Sequence, residues 1–572
     1  MKLKEFILPG LIFLLATILR FLWLDRVPTA ITGDELTYIL NIKSVALTGT
    51  GLRDNWSLLS ALFFKYPIGL PQAELPYFIL LPAVSFFNLS LLNVRLIYAA
   101  ISIATAFAMY LVVRELFDKK TALIAAFITA VNPWQIFIGR TTYETVPAML
   151  FFLLGIYFLL REKSSRIFLS LIFFVLAFYS YIGTKVAFVP LILAVSFFAW
   201  LQNKKKFTKQ YVILNIACLL LVMFFASSLL SKGGNSRSGE LFTPFVPEIA
   251  QRVDEVRKNS ISPHFVQSAL DNKFTIYSKI ISEKFITASS PQYLFVAADN
   301  FVGLYTHGLF YIIDALFLVI GMLFSFAEKR RQFILVSALL VIGTFPHLFF
   351  KARTDVFSPH LALFFTFSII FIAYGISKTI SSSKLKIIPV IILLLYLVSV
   401  INFANIYLMQ FPLRGHFDFA SRVLSSYLTR VEQNGSSVTA YISTPEDAFS
   451  KYLFYTDGLN KDTIGNAKNA ISKKEYLAGT VKFLPCGEIH KNLNPNDISI
   501  YQSSICEPYE YASGSAKITN LMDGGEGYRI FGDPLCSRFN LKSYPQGLKI
   551  SDFIVEKLSD RQFCESFIMR SN

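Results

Sequence analysis

Asp34 and Glu35 stand side by side in Thr32-Gly33-Asp34-Glu35-Leu36-Thr37-Tyr38, just past the first apolar stretch of the chain, 6–24. Like charges raise each other's pKa, so such a pair is suited to taking a proton from a hydroxyl or to holding a divalent cation. The plainer reading is a helix start, with Gly33 breaking the chain and first-turn acids facing the helix dipole. What the rest of the chain brings to the same depth decides between them.

Further ionisable residues gather where apolar stretches end on that side. Arg140 and Glu144 follow Asn132-Pro133-Trp134, Lys185 follows Tyr181-Ile182-Gly183-Thr184, and His307 opens an apolar stretch. Lys351 and Arg353 follow His347, with His360 soon after. Taken singly, each basic side chain is explained by snorkelling to headgroups. Together, at one depth with carboxylates between them, they describe a cationic pocket suited to a lipid phosphate or diphosphate.

The elements that must position these residues are membrane helices. The 572 residues are 54% hydrophobic and 15% aromatic, with a mean hydropathy of +0.51. Runs of roughly 18 or more apolar residues span a hydrocarbon core as helices. About eleven spans are expected, near 6–24, 93–114, 120–138, 145–161, 166–182, 184–201, 210–230, 305–326, 332–350, 357–377 and 386–409. The first is too long for a signal-peptide core and is read as a retained helix. The net charge of +16 does not call for a nucleic acid. Lys2 and Lys4, Arg114, Lys119 and Lys120, Arg161 and Arg166, Lys204–Lys206, Lys329–Arg331, and Lys384 and Lys386 fill gaps on one side only. That is the positive-inside pattern. It places the N-terminus in the cytoplasm of a multi-pass plasma-membrane protein.

An odd number of spans makes every long loop external. Residues 1–411 then form the membrane domain, with external loops 25–93 and 231–304. Loop 25–93 carries the acidic pair, an apolar-periodic stretch at 36–47 suited to the membrane interface, Lys65, Glu74 and an interfacial or re-entrant run to Phe87. Two amphipathic stretches, 247–258 and 265–285, suit helices lying on the bilayer or capping a cavity. Residues 412–572 change character: 438–443 and 498–505 read as strands and 446–455 as a helix, an extracytoplasmic α/β domain. Cys486, Cys506, Cys536 and Cys564 fall there, so two disulfides are plausible in any of three connectivities. The main charge inside a span is Asp314, a structural acid or a substrate contact. Nucleotide-loop, zinc-protease and serine-hydrolase motifs are absent from the sequence.

In this order the features resemble the GT-C membrane glycosyltransferases, closest to the family 39 type, which includes protein O-mannosyltransferases and the lipid A aminoarabinose transferase. The resemblance covers roughly 6–410. It rests on Asp34-Glu35 after the first span, Lys65-Tyr66-Pro67-Ile68, Asn93-Val94-Arg95-Leu96, Asn132-Pro133-Trp134 with Arg140 and Glu144, and Ser290-Pro291-Gln292-Tyr293 ahead of His307-Gly308. Gly139 stands where that family usually has Ser, and Tyr66 where it has Pro. The resemblance implies a polyprenyl-phosphate sugar donor and a glycan, lipid or protein acceptor on the outer face. It implies inverting transfer with Asp34 as base, and Glu35 and Glu144 orienting the acceptor or helping hold Mg or Mn; metal use differs among relatives. Lys65, Arg140, Lys185, His307 and Arg353 are expected to bind the donor. A transporter, flippase or polymerase of lipid-linked saccharides is the alternative, and a non-enzymatic scaffold a third.

Overall fold

The computed structural model describes residues 4–67, 72–161, 164–202, 208–231, 247–299, 301, 307–350, 356–414, 418–486, 498–503, 505–506, 516–521 and 525–570. Each stretch predicted to cross the membrane is helical, but the helices differ in reach. Six are long and apolar enough to cross: Leu91–Leu116, Lys185–Gln202, Thr208–Ser228, Arg330–Leu348, Ser358–Ser382 and Ile388–Arg414. Others are shorter, among them Ile7–Phe21, Thr145–Leu160 and Arg166–Ser180. The predicted span 120–138 is two pieces, Lys119–Val131 and Pro133–Ile138. Asn132 ends the first and caps the second, accepting from the Gln135 N–H at 3.0 Å. The chain is thus a helical multi-pass membrane protein carrying a C-terminal sheet domain.

Close helix crossings hold the membrane part together. Helix Ala362–Ser382 is buried on every side from Ala362 to Ser377. It meets helix Ile312–Glu328 at two glycines. A Cβ on Gly321 would lie 1.9 Å from the Phe371 carbonyl oxygen, and one on Gly375 would lie 2.1 Å from that of Phe317. Without side chains at the crossing, the backbones touch and gain dispersion contacts that lipid cannot supply.

On one end of the bundle, helix α1 (Lys4–Phe21) connects through 22–32 to α2 (Gly33–Thr48). The stretch expected at the membrane interface is the body of α2, yet Leu36, Ile39, Leu40 and Ile42 are buried. α2 packs on helix Leu75–Phe86 and on helix Pro445–Tyr455 of the C-terminal domain, which cover its apolar face. Of the two amphipathic stretches, the first is helix Pro247–Lys258. The second divides at Asp271, into His264–Leu270 and Lys273–Ala288.

The C-terminal domain is built on one mixed sheet in the order β2-β3-β1-β4-β6-β5-β7. Its strands are β1 (Val438–Tyr441), β2 (Tyr476–Ala478), β3 (Val481–Leu484), β4 (Ile498–Gln502), β5 (Ala516–Thr519), β6 (Glu526–Phe531) and β7 (Ile568–Arg570). β1 runs parallel to both β3 and β4, and the remaining pairs are antiparallel. The amphipathic helix Phe419–Gln433 packs across β1, β5 and β6. Two disulfides resolve the open connectivity: Cys486–Cys506 and Cys536–Cys564.

Candidate functional site

The acidic pair is a helix start, and a heavily braced one. Thr32 caps α2: its hydroxyl accepts from the Glu35 N–H at 3.2 Å, and Glu35 Oε2 accepts from the Thr32 N–H at 2.9 Å. This reciprocal pair is the capping box. Glu35 Oε1 reaches the other way, accepting from the backbone N–H and hydroxyl of Thr142 at 2.6 and 2.9 Å. With the Thr32 hydroxyl also donating to Oε2 at 3.0 Å, four hydrogen bonds occupy the buried Glu35 carboxylate. Glu35 therefore joins α2 to the segment after Pro133–Ile138. Asp34, one residue earlier, is exposed. The two carboxylates have opposite environments.

Three arginines hold the connector leading into this turn by its carbonyls. Arg140 is fully buried, and its guanidinium donates to Leu19, Arg20, Leu22, Trp23 and Val27 at 2.8–3.1 Å. The final carbonyls of α1 have no partner within the helix, and a cation there also suits the dipole. Arg95 donates to Leu24, Pro28 and Ala30 at 3.2, 2.7 and 2.6 Å. Arg422 of the C-terminal domain donates to the Thr29 carbonyl and forms a two-pronged pair with Glu556 at 2.7 and 2.8 Å. The Tyr455 hydroxyl accepts from the Ile31 N–H at 3.1 Å. Arg140 thus has both its terminal nitrogens engaged by carbonyls of the α1 end and the connector.

Glu144 and Lys185 join the same network on its other side. The Tyr38 hydroxyl, from α2, donates to Glu144 Oε2 at 2.5 Å and accepts from the Ala73 N–H at 2.6 Å. Ala73 N–H also lies 3.2 Å from Glu144 Oε2. Both carboxylate oxygens of the next residue, Glu74, accept from the Lys185 ammonium, at 2.7 and 2.9 Å, and Oε1 also accepts from the Tyr66 hydroxyl at 2.8 Å. Lys185 is buried with Phe64, Phe178 and Phe225 ring centroids 4.2–4.9 Å from its nitrogen. Such a cation, desolvated among rings, is held by the carboxylate and the ring quadrupoles.

Glu35, Glu144 and Lys185 are thus linked through Thr142, Tyr38 and the Ala73-Glu74 pair, with exposed Asp34 one residue before Glu35. Lys65 is exposed, with its carbonyl accepting from the Trp56 indole at 2.6 Å. His307 sits apart from this network: its Nδ1 is 2.7 Å from the Gly308 carbonyl, and its ring meets Tyr311 and Phe403. Arg353 and Lys351 lie outside the described residues. Asp314 is a helix cap, accepting from the Tyr311 N–H at 2.9 Å and from the Tyr396 hydroxyl.

Among the described residues no three His, Cys, Asp or Glu side chains converge to hold a divalent cation. Moreover, Glu35 would have to give up four hydrogen bonds to join Asp34 and Glu144. Gly139 also has a local cause. A Cβ there would lie 2.2 Å from the Ser102 hydroxyl, which receives the Arg20 Nε at 2.8 Å. The serine usual at that place would collide with this pair.

Sequence reasoning missed Arg20, Arg95, Tyr38 and Thr142 as members of this assembly. The two arginines were legible as ions in apolar helices, which must find partners. Tyr38 and Thr142 carried no comparable signal.

Comparison with protein families finds a match over residues 75–229 to the family described as dolichyl-phosphate-mannose-protein mannosyltransferase. That stretch includes Arg140, Glu144 and Lys185. Comparison with curated proteins finds no match. Among solved structures, the chain is similar to archaeal oligosaccharyltransferase AglB from Archaeoglobus fulgidus, in complex with an inhibitory peptide and a dolichol-phosphate. The TM-score is 0.45 at 12% identity, over 92% of this chain and 74% of that one. It is also similar to ArnT from Cupriavidus metallidurans in the apo state, with a TM-score of 0.48 at 10% identity, over 91% and 97%.

Proposed function

We propose that this chain transfers a sugar from a polyprenyl-phosphate donor to an acceptor hydroxyl at the outer face of the membrane, with inversion. The observation that carries the reading is the position of Asp34, exposed at the start of α2. The turn that holds it is anchored by the four hydrogen bonds of the next residue, Glu35, and the connector before it is gripped by Arg95, Arg140 and Arg422. A general base must be held in place and reachable by substrate. The family match over 75–229 supplies the class of chemistry.

In this reaction Asp34 takes the proton of the acceptor hydroxyl as its oxygen attacks the anomeric carbon. The bond from that carbon to the lipid phosphate oxygen breaks, and the phosphate leaves with the electron pair. One carbon–oxygen bond forms as the other breaks, in a single displacement from the opposite face, so the anomeric carbon inverts. Lys65, exposed in the same external loop, is suited to the charge that develops on the leaving phosphate, and Arg353 is the further candidate. Glu144, oriented by Tyr38, lies beside Asp34's helix to align the acceptor. Arg140 and Lys185 act through the scaffold: they keep the Asp34 turn and the Ala73-Glu74 segment of the loop in place.

The test is transfer from a lipid-linked sugar by the purified chain in nanodiscs, with Asp34→Asn as the variant. Removing a positioned base costs about 10²–10⁴-fold in turnover, with donor binding retained. Undiminished transfer by the variant, at equal expression, would end the base assignment. Mass spectrometry of lipid-linked sugars and surface glycans in a deletion strain would name the sugar and acceptor.

A further inference from the structure

The C-terminal domain carries a cleft of about 1110 Å³ between helices Phe419–Gln433, Pro445–Tyr455 and Ile464–Lys473 and the β2–β3 edge. Nothing in the chemistry above uses it. Its volume lies just above the roughly 300–1,000 Å³ that small-molecule sites occupy.

The lining states what kind of ligand would fit. Asn466, Asn469 and Lys473 follow one another at helical spacing on one face of Ile464–Lys473, and all three are exposed. Opposite them stands Tyr476, half-buried, its ring 5.8 Å from that of Phe449. Two of the three acids of the cleft are already engaged. Glu432 accepts from the Tyr452 hydroxyl at 2.6 Å and the Thr480 N–H at 3.1 Å, and Asp457 accepts from the Leu89 N–H at 2.8 Å. Lysines at 473, 474 and 482 are balanced by acids at 432, 457 and 475. A polyanion would need an excess of positive charge, and an apolar ligand would need walls without amides. Side-chain amides and hydroxyls that offer both donors and acceptors, next to an aromatic ring, instead suit a neutral polyhydroxylated chain.

The cleft is also anchored to the loop that carries Asp34. Tyr455, at the end of one wall helix, meets Ile31 before the α2 cap. Lys468, between Asn466 and Asn469, donates to the hydroxyls of Thr48 and Thr50 at 2.7 Å each, at the other end of α2. The wall helices therefore touch both ends of α2.

We propose that this cleft, built on helices that brace α2 through side chains outside the cleft lining, binds a neutral oligosaccharide as the acceptor chain. The acceptor role rests on the transfer reading above; the binding does not.

The experiment is saturation-transfer NMR on the full chain in nanodiscs, with short neutral manno-, gluco- and galacto-oligosaccharides as probes. At least one series is expected to bind. The double variant Asn466→Ala/Asn469→Ala is expected to weaken it by about tenfold or more, a loss near 1.4 kcal/mol. Asp34→Asn should bind as the parent does. Tyr476→Ala provides a second disruption from the opposite wall, should the double variant unfold. The assignment is overturned if no series gives saturation transfer at millimolar concentration, if only anionic glycans bind, or if folded cleft variants bind like the parent. Sugar transfer without cleft-dependent binding would sink this proposal alone. Cleft-dependent binding without transfer would support it and sink the transferase reading alone.

Discussion

Glu35 and Thr142, 107 positions apart in the chain, share one carboxylate oxygen: Glu35 Oε1 takes both the backbone N–H and the hydroxyl of Thr142. The same carboxylate caps its own helix with Oε2. A side chain that reads as half of a catalytic pair is, in the fold, the rivet that sets the position of the other half.

Glu35→Gln should therefore act on geometry. The amide keeps one accepting oxygen and presents an NH₂ group on the other side; the threonine hydroxyl there can turn to accept from it, but the backbone N–H loses its acceptor, at about 1–3 kcal/mol. Turnover is expected to fall while the pH profile of the remaining activity keeps the parent's shape. Thr142→Val should give a milder version of the same loss. A shifted profile in Glu35→Gln would mean that Glu35 itself carries the proton.

Lys185 and Glu74 form a buried pair, and breaking one side strands a charge at about 3–5 kcal/mol. Lys185→Met and Glu74→Gln should each lower the melting temperature sharply, and the double variant should recover most of it. Donor affinity decides the role. If the stable double variant binds a lipid-linked sugar like the parent, Lys185 is a positioning residue; if binding is lost, it touches the phosphate.

Arg140→Lys should not pass as conservative. Five carbonyls now share one planar guanidinium, whereas an ammonium offers three donors from a single point. The expected result is a less stable chain with faster hydrogen exchange at residues 22–31. Exchange unchanged from the parent would show that Arg95 and Arg422 suffice to hold the connector.

The contact between the C-terminal domain and the connector should weaken in acid. Burial by itself raises the Glu556 carboxyl, but the Arg422 charge and its hydrogen bonds outweigh it and hold the group below the usual carboxylate range. A depressed folded pKa stabilises above the unfolded value of about 4.3, and that contribution is lost as pH falls through the lower folded value. Protection against hydrogen exchange at Thr29–Ile31, relative to the intrinsic rate at each pH, should therefore fall on acidification below about 4.3. Glu556→Gln should show raised exchange already at neutral pH and a flatter response to acid.

Much of the architecture was readable from residue order alone. Long apolar runs can satisfy their backbone in lipid only as helices, and the helices stand where those runs are. Strand β1, strand β4 and the helix ending at Tyr455 followed from local pattern in the same way. Asn132-Pro133 split a predicted span, because a cap and a proline inside an apolar run overrule its length.

Site roles were less readable, for a definite reason. Types and spacing marked Asp34, Glu35, Arg140, Glu144 and Lys185 as ions that needed an explanation, and the amino-acid sequence determined that much. Which of them would be consumed by partners depended on groups that no local pattern announces: the carbonyls of 19–27 under Arg140, Thr142 behind Glu35, and Glu74 against Lys185. A hydrogen bond forms over about 3 Å, and only the folded chain brings residues a hundred positions apart to that distance. Tertiary structure alone decided that Glu35 is tied down and Asp34 is exposed.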